Sequence, residues 1–594
     1  MAARVIVALV ASSSSFGLFA LEPGRPDPRT RTFLPPARVV WTSGDAVYGN
    51  RSVVKDAETL LKPRYGQIPE ERWRASCGCT MENNGEPASV LLDFGRELHG
   101  GIQIGGMCPR GMKMRVRFGE SVGEAMSEIG QKSAGNDHAI RDGVHDIPFM
   151  GIVEVGNTGF RFVRLDLVTS GKVNLECVRA VSLMRQMPRL GEFRCSDERL
   201  NRIWETAVRT VHLCCQDFLW DGIKRDRLVW LGDMHPEARA ILSVFGAAEV
   251  IPDSIDYAIA TTPPDGWMNA MPNYTLWFLR VVREWYRYTG DAAWVRERGE
   301  YLKATVAHVL ENVRGDAAAY ADGPKANVFL DWPTQHNKPA VLAGTRALLA
   351  LSLDDAAELM DAAGDAKLAA KCREEAARVR IEKPDPAGAK SAAALLALGG
   401  LRDSKDMFRE VIGKNGHDGV STFYGYYVLE AMSAAGEDGR ALDTIRDYWG
   451  GMLDMGATSF WEDFNLSWTN NAARLDEMPV PGKKDIHGDF GEFCYRGFRH
   501  SLCHGWSAGP AAWCIAHVLG LEAVDVGERK VRVKPFLGDL EWAEGALPTP
   551  LGVVRVRHEK RPDGSIATKI DAPPGVKTID DGRVALKPDD GGGR

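Results

Sequence analysis

Long apolar runs are scarce in this sequence of 594 residues. No internal run approaches the roughly 20 apolar residues that a membrane-spanning helix needs, so we expect no membrane span. Basic residues are not in excess either, because 73 Lys and Arg stand against 80 Asp and Glu. The net charge of −7 gives no electrostatic basis for binding nucleic acid. With 44% hydrophobic and 26% charged residues, the composition is typical of globular proteins.

The 11 cysteines lack regular spacing. Cys77 and Cys79 form one close pair and Cys214 and Cys215 another, but neither has a second pair at metal-site spacing. The sequence therefore predicts no metal site, and we expect no cofactor. An odd count also argues against a dense disulfide framework, although export would leave room for one or two bridges.

The first 20 residues differ from the rest of the chain. One basic residue, Arg4, precedes a stretch of apolar and small residues, and a polar break follows Ala20. This pattern predicts a signal peptide over residues 1–20 and hence a secreted or periplasmic protein. A frayed tail or a misassigned start codon is the alternative.

Changes of periodicity divide the remainder into three parts. Over residues 37–188, short segments that alternate apolar and polar residues are separated by glycine, proline and asparagine, which predicts an antiparallel β-sandwich. From Ser196 onwards apolar residues recur at intervals of three and four, with Ser196 or Asp197 as the N-cap. Alternation returns after residue 522, which predicts a small C-terminal β-sandwich over 522–594.

The middle part contains ten or more helical patterns without strand patterns between them. The patterns cover about 237–249, 274–289, 293–313, 338–363, 366–381, 387–399, 404–413, 421–435, 439–450 and 507–519. Such a count fits a closed ring of helical hairpins, the (α/α)6 barrel. We therefore predict a multidomain fold in which an all-α (α/α)6 barrel catalytic domain, 189–521, is flanked by two antiparallel β-sandwich domains.

The segment 221–233 concentrates charged and aromatic side chains between two helical patterns. It contains Asp221, Lys224, Arg225, Asp226, Arg227, Trp230 and Asp233. Carbohydrate hydrolysis uses such groups: an acid for the glycosidic oxygen, ions that fix its protonation state, and an aromatic face for the sugar ring. A loop whose arginines merely neutralise its aspartates is the alternative.

A second acidic cluster lies more than 200 residues further on, where Phe460 and Trp461 precede Glu462 and Asp463. Two acidic clusters on separate loops could face each other across a cavity, as the carboxyl groups of inverting glycosidases do. The alternative is that Glu462 caps a helix or forms an ion pair.

Two further groups of residues predict sugar subsites. His504 and Trp506 stand near the start of a helical pattern, where the imidazole could bond to hydroxyl groups. Asp331 directly precedes Trp332, a carboxylate beside an indole. Core packing of Trp506 is the alternative.

These clusters, in this order, resemble the bacterial α-L-rhamnosidases of glycoside hydrolase family 78 and, more broadly, the six-hairpin glycosidases. Four segments carry the resemblance: 91–101, 193–204, 286–291 and 455–462. The family's acid loop reads roughly Asp-Cys-Pro-x-Arg-Glu-x-x-x-Trp. By that spacing the resemblance implies a sugar-binding role for Asp221, Arg225, Trp230 and Asp233, with Asp226 as general acid and Glu462 as general base.

The chain departs from this pattern at two places. Gly222, Ile223 and Lys224 replace Cys-Pro-x, and Asp226 replaces the glutamate. An aspartate is one methylene shorter, so the loop must approach the glycosidic oxygen more closely or hold another substrate.

The resulting hypothesis is an inverting exo-glycosidase that removes a terminal deoxyhexose, most simply α-L-rhamnose, from plant or microbial glycans. Asp226 and Glu462 would be catalytic, and the substrate-binding set would be Asp221, Arg225, Trp230, Asp233, Asp331, Trp332, Trp461, His504 and Trp506. A related glycosidase for another sugar is one alternative, since Lys224, Arg225 and Arg227 could favour a uronide. An inactive glycan-binding homologue is the other.

Overall fold

The computed structural model of this chain describes residues 26–44, 52–64, 78–312, 328–493, 495–580 and 585–587. The predicted signal peptide, residues 1–20, lies outside the described residues. Within the described part, no helix is long and apolar enough to cross a membrane. Nine cysteines belong to this part, and all nine are buried free thiols.

The N-terminal part is a nine-stranded antiparallel sheet. Its strands are β1 (Arg29–Leu34), β2 (Arg38–Thr42), β3 (Val53–Lys55), β4 (Cys79–Asn83), β5 (Ala88–Met107), β6 (Lys113–Gly119), β7 (Asp142–Asp146), β8 (Met150–Leu167) and β9 (Gly171–Arg185). In β6, Met114, Val116 and Phe118 are buried at every second position, as strand geometry requires. After β6 the chain forms a short helix, α1 (Val122–Met126), and a loop that reaches the helical part.

Amphipathic helices follow. They are α2 (Glu198–Cys214), α3 (Met234–Phe245), α4 (Val250–Thr261), α5 (Pro272–Thr289), α6 (Ala292–Glu297), α7 (Gly299–Asn312), α8 (Lys338–Ala362), α9 (Ala366–Ile381), α10 (Lys390–Leu398), α11 (Ser404–Met407), α12 (Gly425–Ala434), α13 (Asp438–Thr444), α14 (Gly450–Asp454) and α15 (Gly509–Trp513). Asp197 caps α2 by accepting the backbone N–H groups of Arg199 and Leu200. The apolar face of α2, which includes Trp204, is buried.

The predicted all-α (α/α)6 barrel over 189–521 is wrong. This part contains strand β10 (Glu192–Cys195) and a two-stranded parallel ladder of β11 (Ala472–Ala473) and β12 (Lys484–Asp485). Between α14 and α15 the chain runs through loops, short 3-10 turns and that ladder. Large antiparallel sheets share the chain with the helices, so helical periodicity identified individual helices but not an all-α closed architecture.

The C-terminal part adds β13 (Leu521–Ala523), β14 (Lys530–Val533), β15 (Trp542–Thr549), β16 (Gly552–Lys560), β17 (Ile566–Asp571), β18 (Lys577–Asp580) and β19 (Ala585–Lys587). The predicted antiparallel sandwich is wrong here too, because β14 pairs with β18 in parallel and β17 pairs with β19 in parallel. Strand β10 pairs with β15, so one sheet joins the start of the helical part to the C-terminal part. The predicted domain boundaries stay a prediction.

Candidate active site

The acid loop connects α2 to α3. Its ends are closed by two hydrogen bonds, from Asp221 N to Leu228 O at 3.0 Å and from Leu228 N to Asp221 Oδ1 at 2.9 Å. At its tip, Asp226 and Arg227 have φ of 55° and 56°, in the left-handed region. Among residues other than glycine, aspartate and asparagine tolerate this region best. The backbone thus favours aspartate at the position where the resemblance implies glutamate.

Asp226 is the partly accessible carboxylate of the loop, with its side chain 20% exposed. Arg225 Nη1 lies 3.1 Å from Asp226 Oδ1. On the other side, His138 Nδ1 lies 3.3 Å from the same oxygen and accepts the backbone N–H of Asp226. His138 belongs to the loop after α1, so the N-terminal part contributes directly to the surroundings of Asp226.

Glu462 is fully buried, and both of its carboxylate oxygens are held. Arg225 Nη2 donates to Oε1, and the backbone N–H of Ser501 donates to Oε2 at 3.1 Å. Arg225 also lies over the ring of Tyr495, 4.9 Å from its centroid. One guanidinium therefore bridges Asp226 and Glu462, which brings the two predicted acidic clusters into one site.

Three buried carboxylates surround the imidazole of His504. Its Nε2 lies 3.6 Å from Asp221 Oδ2, 3.9 Å from Asp233 Oδ2 and 3.6 Å from Glu462 Oε1. A β-bridge between Gly222 and His504 fixes the histidine against the acid loop. Asp233 precedes α3 but makes no side-chain cap; it accepts a hydrogen bond from the hydroxyl of Tyr274 at 3.0 Å instead.

Burial sets the protonation of this group. It raises the pKa of Asp221 well above the ordinary value, and the negative charge of Asp226 adds to the effect. Burial, with the charge of Asp221, also raises the pKa of Asp233. Burial lowers the pKa of His504 to about 4, against the opposing influence of Glu462. At neutral pH the cluster thus combines a neutral imidazole with two carboxyl groups, those of Asp221 and Asp233, that retain protons readily.

Asp331 and Trp332 lie beside this cluster. Burial raises the pKa of Asp331 to about 7, and its Oδ2 accepts a hydrogen bond from the Ser421 hydroxyl at 3.0 Å. Trp332 is partly exposed, donates its Nε1–H to the hydroxyl of Tyr495 and stacks on Phe493 with centroids 5.4 Å apart. This pair therefore offers a carboxyl group and an aromatic face.

The other predicted tryptophans differ in accessibility. Trp230 is partly exposed and packs edge-on against Tyr274. Trp461 and Trp506 are only 1% and 3% exposed, and Trp506 stacks on Phe423 and donates its Nε1–H to Glu462 O. Both packed indoles support the loop of Glu462 from within the core.

The structure places Lys224 and Arg227 away from the carboxylate cluster. Lys224 Nζ lies 2.9 Å from Glu120 and also donates to the carbonyls of Phe498 and His500. Arg227 donates to the carbonyls of Asn157 and His138. Glu120, Glu124 and His487 have ligand atoms close enough together for a metal ion, but the Lys224 ammonium already supplies a cation there.

Sequence reasoning missed His138 and Glu120. Both precede the helical part, in a region predicted to be an accessory sheet, and they meet the acid loop only through tertiary packing. Neither stands in a motif with distinctive spacing, so the sequence alone offers no signal for them.

Comparison with known proteins gives a family match for part of the chain. Residues 188–382 match the model of the bacterial alpha-L-rhamnosidase 6 hairpin glycosidase domain. This range contains the acid loop and Asp331, whereas Glu462 lies beyond it. No curated protein matches.

Solved rhamnosidase structures share the fold. The GH78 family rhamnosidase of Bacillus sp. GL1 is 21% identical with a TM-score of 0.69, covering 89% of this chain and 55% of its own. A Klebsiella oxytoca rhamnosidase with rhamnose bound is 21% identical with a TM-score of 0.63, covering 82% and 95%. The Streptomyces avermitilis alpha-L-rhamnosidase complexed with L-rhamnose is 17% identical with a TM-score of 0.62, covering 84% and 50%.

This chain thus spans about half the length of two of these proteins and nearly all of the third. The resemblance predicted from the sequence, to bacterial α-L-rhamnosidases and six-hairpin glycosidases, is confirmed. The proteins that the chain resembles in family and fold are glycoside hydrolases of the rhamnosidase kind.

Proposed function

We propose that this chain is an inverting exo-glycosidase that removes terminal α-L-rhamnose, or a closely related deoxyhexose, from plant or microbial glycans. The match of residues 188–382 supports the substrate class. The observation that carries the mechanism is the bridge made by Arg225, which contacts Asp226 and Glu462 at once. Inverting glycosidases need two carboxyl groups held apart, at about 6.5–9.5 Å, to admit a water molecule.

The surroundings of the two carboxyl groups suit different roles. Asp226, which is partly exposed, would protonate the glycosidic oxygen as the bond to the anomeric carbon breaks and its electron pair moves to that oxygen. Glu462, which is buried and held at both oxygens, would take a proton from the water that attacks the opposite face of the ring. The products are the free sugar with inverted anomeric configuration and the released alcohol.

The sugar would be held by groups around His504. A buried carboxyl group that keeps its proton both donates and accepts hydrogen bonds, so Asp221 and Asp233 suit hydroxyl groups in either direction. Trp230 and Trp332 would contact the apolar faces of the substrate, while Trp461 and Trp506 support the loop from behind. Export to the periplasm or the medium belongs to this proposal and rests on residues 1–20.

A uronide substrate has less support. That alternative depended on Lys224, Arg225 and Arg227, but Lys224 is engaged by Glu120 and Arg225 by Glu462. Arg227 is engaged by backbone carbonyls. None of the three presents an unengaged cation to a substrate carboxylate.

The test is hydrolysis of a panel of aryl glycosides by the purified full chain. We expect p-nitrophenyl α-L-rhamnoside to be cleaved, with the β-anomer as the first product by NMR. Asp226→Asn and Glu462→Gln should each lower kcat at least about a hundredfold. Near wild-type turnover in both variants would contradict the proposal, and rhamnose binding without hydrolysis at any pH would favour a glycan-binding protein.

Asp217→Asn is the matched control. Asp217 lies in the same connection between α2 and α3, but within the described part of the chain its side chain accepts a hydrogen bond only from the adjacent backbone N–H of Phe218, at 3.0 Å. Its substitution removes a carboxylate without touching the cluster, so kcat should stay close to that of the wild type.

A further inference from the structure

Glu120 is a buried carboxylate directly after β6, in the N-terminal part of the chain. Its Oε2 accepts the backbone N–H of Leu502 at 2.6 Å, and its Oε1 accepts the hydroxyl of Ser501 at 3.4 Å. Lys224 Nζ lies 2.9 Å from Oε2. One side chain thus connects the acid loop to residues 501–502.

Two of these three partners of Glu120, Ser501 and Lys224, connect it to the groups that hold Glu462. Ser501 itself donates to Glu462 Oε2, and Lys224 immediately precedes Arg225, which donates to Glu462 Oε1. The backbone also pairs, because Glu462 N donates to Ser501 O at 3.0 Å. Both oxygens of Glu462 are therefore held by segments that are anchored on Glu120.

We infer that Glu120 is a positioning residue for Glu462, acting through Lys224 on one side and through residues 501–502 on the other. This inference rests on the proposed role of Glu462 as general base. It assigns the N-terminal sheet a part in catalysis, since the sheet would supply the fixed point against which the base is aligned. It also gives a function to Lys224, which stands directly before Arg225 in the acid loop.

The charges around Glu120 are consistent with this role. Burial acts to lower the pKa of Lys224. The charges of Glu120 and Glu124 outweigh this effect, so the pKa of Lys224 lies above its ordinary value. Burial, together with the charge of Glu120, raises the pKa of Glu97 well above its ordinary value. The packed rings of His487 and His500 have lowered pKa values because they are buried and close to Lys224. Burial raises the pKa of Glu120 itself to about 7, and the charge of Lys224 opposes this rise. The Lys224 ammonium therefore favours the ionised form of the Glu120 carboxylate that it contacts.

Loss of the contacts that Glu120 makes with Lys224 and residues 501–502 would displace Glu462, the proposed base, without removing it. Displacements on the order of 1 Å can cost about a hundredfold in rate. The Glu120→Gln variant keeps the size of the side chain but gives up the charge that attracts Lys224 and the Leu502 N–H. We expect kcat to fall about 10- to 100-fold while KM changes less than about threefold.

Glu124→Gln is the matched control. Both oxygens of Glu124 lie 3.4 Å from Lys224 Nζ, yet this residue has no hydrogen bond to residues 501–502 in the described part of the chain. Glu124 also accepts the backbone N–H of Glu120 at 2.9 Å, a bond that the side-chain oxygen of glutamine can keep. Glu124→Gln therefore changes the charge beside Lys224 and leaves the hydrogen bonds from Glu120 to residues 501–502 in place. We expect kcat within about threefold of the wild type; equal losses in Glu120→Gln and Glu124→Gln would overturn the inference.

A second variant separates positioning from stability. Glu120→Gln weakens the charge balance of a buried lysine, and the double variant Glu120→Gln/Lys224→Met removes that lysine charge. We expect the midpoint of thermal unfolding to recover in part in the double variant, because Glu124 then lacks its lysine partner, while kcat stays low. Full recovery of kcat together with stability would mean that Glu120 only neutralises Lys224, which would overturn the inference.

Crystal structures distinguish this inference from the proposed function. If the wild type cleaves no glycoside, the proposed function fails, but the anchor is still measurable as the Glu462 Oε2 to Ser501 N distance, 3.1 Å here. In Glu120→Gln, or in the double variant if the single one does not fold, this hydrogen bond should lengthen or break. An unchanged bond would overturn the inference whatever the substrate.

Discussion

Arg225 and Glu462 form a buried ion pair between residues that lie 237 positions apart in the sequence. Their side chains are 7% and 1% exposed. Arg225 also contacts Asp226, so a single cation serves both proposed catalytic carboxyl groups. Because burial of a charge without a partner is costly, this pair connects the stability of the site to its chemistry.

Arg225→Met should therefore lower both the stability of the fold and the catalytic rate. The variant leaves the carboxylate of Glu462 buried without its guanidinium partner, which costs about 3–5 kcal/mol when one member of a buried pair is removed. We expect the free energy of unfolding, measured by urea denaturation at pH 7, to fall by that amount. The kcat should fall at least about a hundredfold, because the base loses the contact that orients it.

The double variant Arg225→Met/Glu462→Gln is the control for this prediction. It removes both charges, so most of the lost stability should return, while activity should not. A single variant that loses less than about 1 kcal/mol would show that Glu462 does not depend on Arg225 for its burial.

Asp226 should tolerate asparagine better than glutamate. Its φ of 55° suits aspartate and asparagine, whereas glutamate would be strained there at a cost of about 1 kcal/mol or more. We expect Asp226→Asn to unfold near the wild-type temperature and to be inactive, and Asp226→Glu to be less stable and less active than the wild type. Faster turnover by Asp226→Glu would show that the family residue fits this loop after all.

His504 should make the protein sensitive to acid. Its pKa in the folded state is about 4, below the ordinary 6.5 of the unfolded chain, so the unfolded chain binds the proton first as pH falls. The stability that the neutral imidazole contributes is complete above about pH 6.5 and is lost as pH falls towards 4. In His504→Gln, the loss of unfolding free energy between pH 7 and pH 4.5 should be about 1–3 kcal/mol smaller than in the wild type.

His487 acts alike in both proteins and cancels in this comparison. His500 does not cancel fully, because the charge of His504 contributes to its lowered pKa and the substitution relieves that part, which acts in the same direction. Equal losses in His504→Gln and in the wild type would contradict the prediction. The measurement is urea denaturation at the two pH values.

Local periodicity predicted several helices closely. The predicted helix over 366–381 coincides with α9, and the one over 338–363 differs from α8 by a single residue. Asp197 caps α2 as one of the two predicted residues. Helix bounds and caps depend on side chains a few positions apart, so they can be predicted from the sequence.

Contacts between residues that are far apart in the sequence could not be predicted from local periodicity. Strand β10 pairs with β15, which lies nearly 350 residues later in the sequence. Its four residues directly precede α2, and nothing local identifies them as a strand. Asp233 directly precedes α3, a position where aspartate commonly caps a helix, yet its carboxyl group accepts a hydrogen bond from Tyr274 and lies near His504. Likewise, the uronide alternative makes Lys224 a substrate contact, although its long side chain turns back to Glu120.

The carboxyl group of Asp331 should lower the stability of the fold at alkaline pH, although we expect it to contribute to sugar binding. Burial raises its pKa to about 7, whereas the unfolded chain has the ordinary value near 3.8. Between these values the folded protein holds a proton that the unfolded chain releases, so this group's contribution to stability falls as pH rises from 4 to 7. At pH 8 the buried carboxyl group is ionised and destabilises the fold.

Asp331→Asn removes that penalty and keeps an oxygen that accepts the hydrogen bond from Ser421. We expect the variant to match the wild type in unfolding free energy near pH 4 and to exceed it at pH 8 by an amount on the order of 2–4 kcal/mol. Its KM for the aryl rhamnoside should rise, because the amide replaces a carboxyl group beside Trp332. A variant that is less stable than the wild type at pH 8 would show that the ionised carboxylate is compensated by contacts other than Ser421.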